Sequence, residues 1–310
     1  MQVNKKSIVE KVKNLSKEER VAKVLSLSLQ SDWTNWDDLI QQDFGWNELM
    51  YGFSPSLLSF WLNSIQNTLP DPTNLRRWGK QQSASCTLCK WKNCTLQQIL
   101  CSCPKGLEQG RISWRHDSIL AVVTKYLKES LIAKKDTAED IGDKIRFVKK
   151  GVKPTKQKRK KTTYWGTADD WKILMDTRRV QYQVPPAIAS TSQRPDICVY
   201  SLKAKKVCFI ELTSPAEENV KLWKIKKRVK YIDLVEEAKS NGFKACCRTI
   251  EVGARGFLSD TSLGLFSMFG FTQKDIKKIG RHLSKTAIRC SHFIWINREN
   301  EAWGQPARIV

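Results

Sequence analysis

Residues 194–231 read RPDICVYSLKAKKVCFIELTSPAEENVKLWKIKKRVKY. Two short runs inside this stretch, ICVYS (197–201) and VCFIELT (207–213), are rich in β-branched and aromatic residues. The polar Lys203-Ala204-Lys205-Lys206 between them is a turn, so the pattern predicts a β-hairpin. A long helix is expected next, over 215–240, with Ser214 as N-cap, Pro215 at the first helical position and Glu217 three residues after the cap. Asn241-Gly242 ends it, and FKACCRTIEV (243–252) reads as a further strand. A hairpin, a helix and a returning strand make this part α/β, with a mixed central sheet.

Further out, helices dominate. Residues 167–181 carry a helical pattern, and 259–290 hold two more helices. WRHDSILAVVTKYLKESLIAK (114–134) has helical periodicity and is expected to pack on the cysteine-rich segment before it. FSPSLLSFWLNSIQ (53–66) reads as a buried helix capped by Ser54 with Pro55 at its start. Residues 4–29 place Ile8, Val12, Leu15, Val21, Val24 and Leu25 at helical spacing, which predicts one or two amphipathic helices. KKGVKPTKQKRKK (149–161) holds eight Lys or Arg and no acid, so it repels itself and reads as a linker. The expected organisation is α+β: a helical region at 1–68, a Cys-rich knuckle with helices at 69–148, the basic linker at 149–161, and the α/β part at 162–310.

The 310 residues carry a net charge of +23, with a pI near 9.7. So large an excess points to a polyanionic partner, nucleic acid being the commonest. DNA is the expected partner, and the charge allows RNA as well. Candidate phosphate contacts are Arg76 and Arg77 beside the cysteines, and Lys149, Lys150, Lys156, Lys158, Arg159, Lys160 and Lys161 in the linker, which also reads as a nuclear localisation signal. No run of ~18 apolar residues is present, so no membrane span is expected. The charged start, MQVNKKSIVEKVKNLSKEER, has no apolar core of a secretory signal. The ten cysteines are therefore expected to stay reduced, and the five that crowd into 86–103 read as metal ligands rather than disulfide partners.

The hairpin places chemistry. Asp196 opens its first strand and Glu211 lies near the end of its second, so both carboxylates can face one site. Two hard oxygen donors suit Mg²⁺. A lysine commonly follows such a Glu by two residues to orient water and offset charge, but Thr213 stands there. Lys227 and Lys230, one turn apart on the predicted helix, are the candidates to reach back, with Tyr231 beside them.

The series RPDICVYS, ELTSPAEEN, KKRVKY and EVGARGF resembles the restriction-like endonuclease domain of non-LTR retrotransposon polyproteins, a branch of the PD-(D/E)XK nucleases with the lysine displaced onto the following helix. LPDPTNLRRWGK, the Cys-x2-Cys knuckle, QGRISWRHDSIL and TADDW (167–171) resemble the same family, so the likeness spans roughly residues 20–260. It implies Asp196 and Glu211 as metal ligands, Lys227 or Lys230 as catalytic lysine, Tyr231 as a neighbour, and nicking of target DNA to prime a reverse transcriptase. Two departures matter. No polymerase motif is present in these residues, so the chain is expected to be a fragment, a decayed copy or a domesticated derivative, with a reverse transcriptase in trans as one candidate partner. The family knuckle runs Cys-x2-Cys, then His-x4-Cys; here Cys86 and Cys89 are followed by Gln98 and Cys103, and an amide is a poor zinc ligand. Cys94 or Cys101 could complete a four-sulfur zinc site, and His116 is a further candidate, though a packing or phosphate-contacting histidine is the commoner reading of it. The alternative to an active enzyme is a decayed, basic nucleic-acid-binding protein derived from such an element.

Overall fold

A computed structural model describes residues 5–27, 29–31, 36, 39, 46–138, 163–178 and 180–304. The basic run 149–161, with its seven candidate phosphate contacts, lies outside the described residues. The helical first half comprises α1 (Lys5–Leu25), α2 (Trp46–Tyr51), α3 (Pro55–Ile65), α4 (Pro72–Arg77), a π-helical turn (Gln98–Ser102), α5 (Pro104–Glu108) and α6 (Arg111–Ala138). The second half runs β1 (Lys172–Met175), β2 (Ile197–Ser201), β3 (Lys206–Thr213), a 3₁₀ turn (Glu217–Asn219), α7 (Val220–Lys230), α8 (Ile232–Ser240), β4 (Lys244–Glu251), α9 (Gly264–Met268) and α10 (Gln273–Ile296). The fold is α+β. Among the described residues no helix is long and apolar enough to cross a membrane.

One four-stranded sheet, in the order β1-β2-β3-β4, organises the molecule. β1–β2 and β2–β3 are antiparallel, and β3–β4 is parallel, which makes the sheet mixed. Strands β2 and β3 are buried along almost their whole length because helices cover both faces. On one face Ile197, Val199, Ile210 and Leu212 pack with Leu120 and Val123 of α6 and Ile279 and Leu283 of α10. On the other, Cys198, Tyr200, Val207 and Phe209 meet Tyr231, Leu234 and Ala238 from α7 and α8. Each such apolar side chain contributes about 1.5–3 kcal/mol on burial. Helix α6 thus belongs to the same core as the sheet, and the expected boundary at 149–161 does not separate two cores among the described residues.

Three expectations are corrected. The segment 167–181 is not a helix: Lys172–Met175 forms β1, antiparallel to β2. A four-residue apolar run fits either period, and Asp170, which accepts hydrogen bonds from Lys203 N at 2.9 Å and from the Ser201 hydroxyl, ties the approach to the hairpin turn. The long helix over 215–240 is two helices, α7 and α8, broken at Tyr231. Its expected cap does not form either. The Ser214 hydroxyl accepts from Arg115 Nε at 3.0 Å, and Glu217 is taken by Arg255 at 3.0 Å, so tertiary partners outbid the local capping box. Other local signals hold: Ser54 Oγ accepts from Leu57 N, with Pro55 starting α3, and α6 carries Trp114 into the knuckle's core. Helix α1 forms with none of its residues buried.

Candidate active site

The register of the sheet builds the acidic centre. Met175 pairs with Ile197 and Ile197 with Ile210, so one step outward Asp176, Asp196 and Glu211 stand in a row, which Thr249 of β4 continues. The backbone bond from Asp176 N to Asp196 O, 2.8 Å, carries the pairing to that step. Residues opposed in register share a sheet face, so Asp196 and Glu211 do too. Asp196 Oδ2 accepts from Leu212 N at 2.6 Å, and Glu211 Oε2 from Asp196 N at 3.2 Å.

The break between α7 and α8 serves this centre. Tyr231, wholly buried, donates its hydroxyl to Glu211 Oε2 at 2.9 Å. One turn earlier Lys227 places its ammonium directly on Glu211 Oε1. Lys230 stays farther off, 3.9 Å from Glu211 Oε1, and donates to the Tyr231 hydroxyl at 2.8 Å. Of the two lysines, Lys227 is therefore the one that engages the carboxylate. Thr213, where a lysine commonly stands, has a buried hydroxyl with no hydrogen-bond partner.

His116 joins the site and was read otherwise from sequence. Its Nε2 lies 3.3 Å from Asp196 Oδ2 and 3.2 Å from the Leu212 carbonyl, and its Nδ1 lies 3.2 Å from Asp117 Oδ1. It is thus no ligand of the cysteine cluster. The signal for its real place was the Asp117 that follows it, at the start of a helix aimed at the sheet. Asp176 was also missed, because residues 167–181 were read as helical. A cleft of about 410 Å³ lined by His116, Asp117, Asp176, Asp196 and Arg178 opens onto this cluster.

Electrostatics separate the carboxylates. Burial works against an ionised Asp196, yet the charge and hydrogen bond of His116 hold it below the usual range. Burial likewise opposes a charged His116, but Asp196 and Asp117 push it up to about 10. Glu211 moves up, first through burial and then through the Asp196 charge, with Lys227 opposing. Asp176 is also raised by burial, with Arg194 opposing.

The centre gathers oxygen donors, the atom type a hard divalent cation takes. Asp196 Oδ2 and the Leu212 carbonyl converge on one point, now faced by the His116 imidazolium. Asp176 Oδ1, in the same row, is buried with no hydrogen-bond partner. Oxygen donors gathered around a cationic group are what such an ion prefers.

The second candidate centre is the knuckle. The Sγ atoms of Cys86, Cys89 and Cys103 lie within 4.8 Å of one another and could hold a metal. Cys86 N donates to Trp91 O and Cys94 N to Ala84 O, both at 2.8 Å, which folds 84–94 into a tight loop. Gly106 N donates to Cys103 Sγ at 3.4 Å. Burial opposes the Cys86 thiolate, but backbone donors from Cys89 and Leu88 bring its thiol below the usual range. Cys103 is pushed up to about 11, chiefly by burial. Neither expected fourth sulfur lies with all three: Cys94 hydrogen-bonds with Cys86 at the cluster's edge and donates to Gln98 Oε1 at 3.3 Å, and Cys101 accepts from Arg115 Nη2 at 3.6 Å. Gln98 itself reaches the cluster, its Nε2 3.1 Å from Cys89 Sγ. Arg76 and Arg77 end α4 on the exposed surface, and α4 is tied to the knuckle by Thr73 N to Cys94 O at 3.2 Å.

No known family profile and no curated protein matches this chain.

Proposed function

We propose that the chain is a metal-dependent DNA endonuclease of the restriction-like type, derived from the C-terminal region of a non-LTR retrotransposon polyprotein. The observation that carries this reading is the cross-strand pair Asp196–Glu211 with Lys227 on the glutamate. Asp196, Glu211 and the Leu212 carbonyl would hold Mg²⁺, which when bound neutralises charge on the scissile phosphate and acidifies water. The chain's own groups do the rest. Lys227, fixed by Glu211, orients the attacking water and offsets the charge that builds on the phosphoryl oxygens. Water adds to phosphorus, the bond to the bridging oxygen breaks, and that oxygen leaves with a proton. Tyr231 and Asp196 N hold Glu211 in place, and the Asp117–His116 pair sets the orientation of Asp196.

The net charge of +23 supports a nucleic-acid partner. Arg76, Arg77 and the basic run 149–161 would grip phosphate without reading sequence. The knuckle is proposed as a zinc site of Cys86, Cys89 and Cys103 with Gln98 in the position of the family histidine. Action in the nucleus, with a reverse transcriptase in trans and RNA as an additional ligand, belongs to the same reading. Gln98 is the observation that favours the alternative, a decayed nucleic-acid binder without activity.

Plasmid nicking in Mg²⁺ tests the proposal. The wild-type chain should convert supercoiled to open-circular DNA, and Asp196→Ala and Glu211→Ala should not. Equal conversion by all three would reject this centre, and no conversion by any would favour the decayed binder.

A further inference from the structure

The row Asp176, Asp196, Glu211 does not end at the glutamate. Glu211 pairs in register with Thr249 of β4, and there the sheet opens into a second cavity, of about 560 Å³. Its walls include Tyr231, which reaches Glu211 with its hydroxyl, so the cavity shares a wall with the acidic centre. Arg228 enters from α7, one residue after Lys227, and Arg248 from β4, one residue before Thr249. Both arginines are exposed and line the cavity's wall, and Arg248 also reaches the Cys246 thiol. Neither is held by a carboxylate among the described residues. Glu236, the acidic residue on the wall, is occupied by Lys239 at 2.7 Å.

Thr249 supplies the second, independent sign. It is 6 % exposed, lines the cavity, and its hydroxyl has no hydrogen-bond partner. A buried hydroxyl left without a partner carries a desolvation cost that an incoming acceptor would relieve. Two forked cations and a neutral hydroxyl make the donor set that recognises a phosphate oxygen rather than a carbonyl or a metal.

We propose that this cavity binds one phosphate group of a nucleic-acid strand, next to the phosphate that lies at Asp196 and Glu211. This rests on the nuclease reading for the identity of the strand, but not for the anion chemistry. A strand seated here is gripped on the far side of Tyr231 from the acidic cleft. That fixes which phosphodiester meets Lys227 and so sets the register of cutting. The site specifies position rather than sequence, since phosphate carries no base information.

The test measures binding without cleavage. The full chain, in chelator, is titrated with a short single-stranded oligodeoxynucleotide, and separately with a deoxynucleoside monophosphate and its unphosphorylated nucleoside. Arg228→Gln and Arg248→Gln should each weaken strand binding about tenfold, which is about 1.4 kcal/mol. Thr249→Val should weaken it two- to threefold. Lys221→Gln, an exposed charge on α7 away from the cavity, should change it by less than twofold. Loss for both strand and monophosphate, with no binding of the nucleoside, assigns the pocket to the phosphate group itself. Loss for the strand alone assigns it to a backbone phosphate held by its neighbours. Arginine variants no weaker than Lys221→Gln overturn the inference. Because no cutting is required, an inactive chain that still shows arginine dependence leaves this inference standing. A nicking chain without that dependence sinks it alone.

Discussion

Replacing Arg255 by methionine isolates the buried ion pair that clamps the turn between β3 and α7. Arg255 Nη1 lies 3.0 Å from Glu217 Oε2 and 2.9 Å from Glu218 Oε1, and the side chain also donates to Ser64 O at 2.9 Å and Asn67 Oδ1 at 2.8 Å. Both Arg255 and Glu217 are almost wholly buried. Methionine keeps the aliphatic stem but leaves the Glu217 charge unpaired, which costs about 3–5 kcal/mol. At roughly 2–4 °C per kcal/mol for a large core, the melting temperature should fall by about 10 °C. The deficit should also depend on pH. Burial lifts the Glu217 carboxyl above its ordinary value of 4.5, while Arg255 pulls it down. A group whose folded pKa is raised has its stabilising effect in full below the unfolded value and loses it as pH rises through the folded one. Without Arg255 the folded pKa rises further, so the deficit should grow as pH rises above the ordinary value of 4.5 and shrink again in the double variant with Glu217→Gln. Chemical denaturation of the wild type, the Arg255→Met and Glu217→Gln single variants and the double variant across this range of pH measures this. A deficit under about 1 kcal/mol, or one that ignores pH and Glu217→Gln, would refute the reasoning.

Lys227→Met should lower the nicking rate by about 10²–10³-fold, the loss typical of one preorganised charge stabiliser, whereas Lys230→Met should cost less than tenfold; initial rates on supercoiled plasmid separate them. Gly253→Ala should destabilise the chain, because the added Cβ would stand 2.2 Å from Glu217 Oε1 and the clamp has no room to yield, a result read by thermal denaturation. Metal content by mass spectrometry should fall in Cys86→Ser, Cys89→Ser and Cys103→Ser and persist in Cys101→Ser, whose sulfur faces Arg115 instead.

The hairpin and its carboxylates were legible because alternation, turn and register are all local: once 197–201 pairs with 206–213, Asp196 must oppose Glu211. The approach of Lys227 to Glu211 was legible too, since helical spacing put Lys227 and Lys230 on one face. What could not be read depends on contacts far apart in the chain. Ser214 and Glu217 look like a cap until Arg115 and Arg255 arrive from distant positions. His116 reads as a packing or phosphate-contacting residue, or as a knuckle ligand, until α6 packs against β3 and brings it to Asp196. Cys101 has the spacing of a ligand but the wrong direction, because the π-helical turn over Gln98–Ser102 brings Cys101 to Arg115 and Gln98 to Cys89. The break at Tyr231 has no Gly or Pro to mark it; burial of the ring and its bond to Glu211 decide it.

A titration of Mn²⁺ into the chelator-treated chain, followed by the loss of its free-ion electron paramagnetic signal, addresses the acidic centre without relying on turnover. One site should fill in the wild type and be lost or weakened at least tenfold in Asp196→Ala and in Glu211→Ala, with Cys86→Ser unchanged. Uptake that is the same in the wild type and in both carboxylate variants would contradict the account.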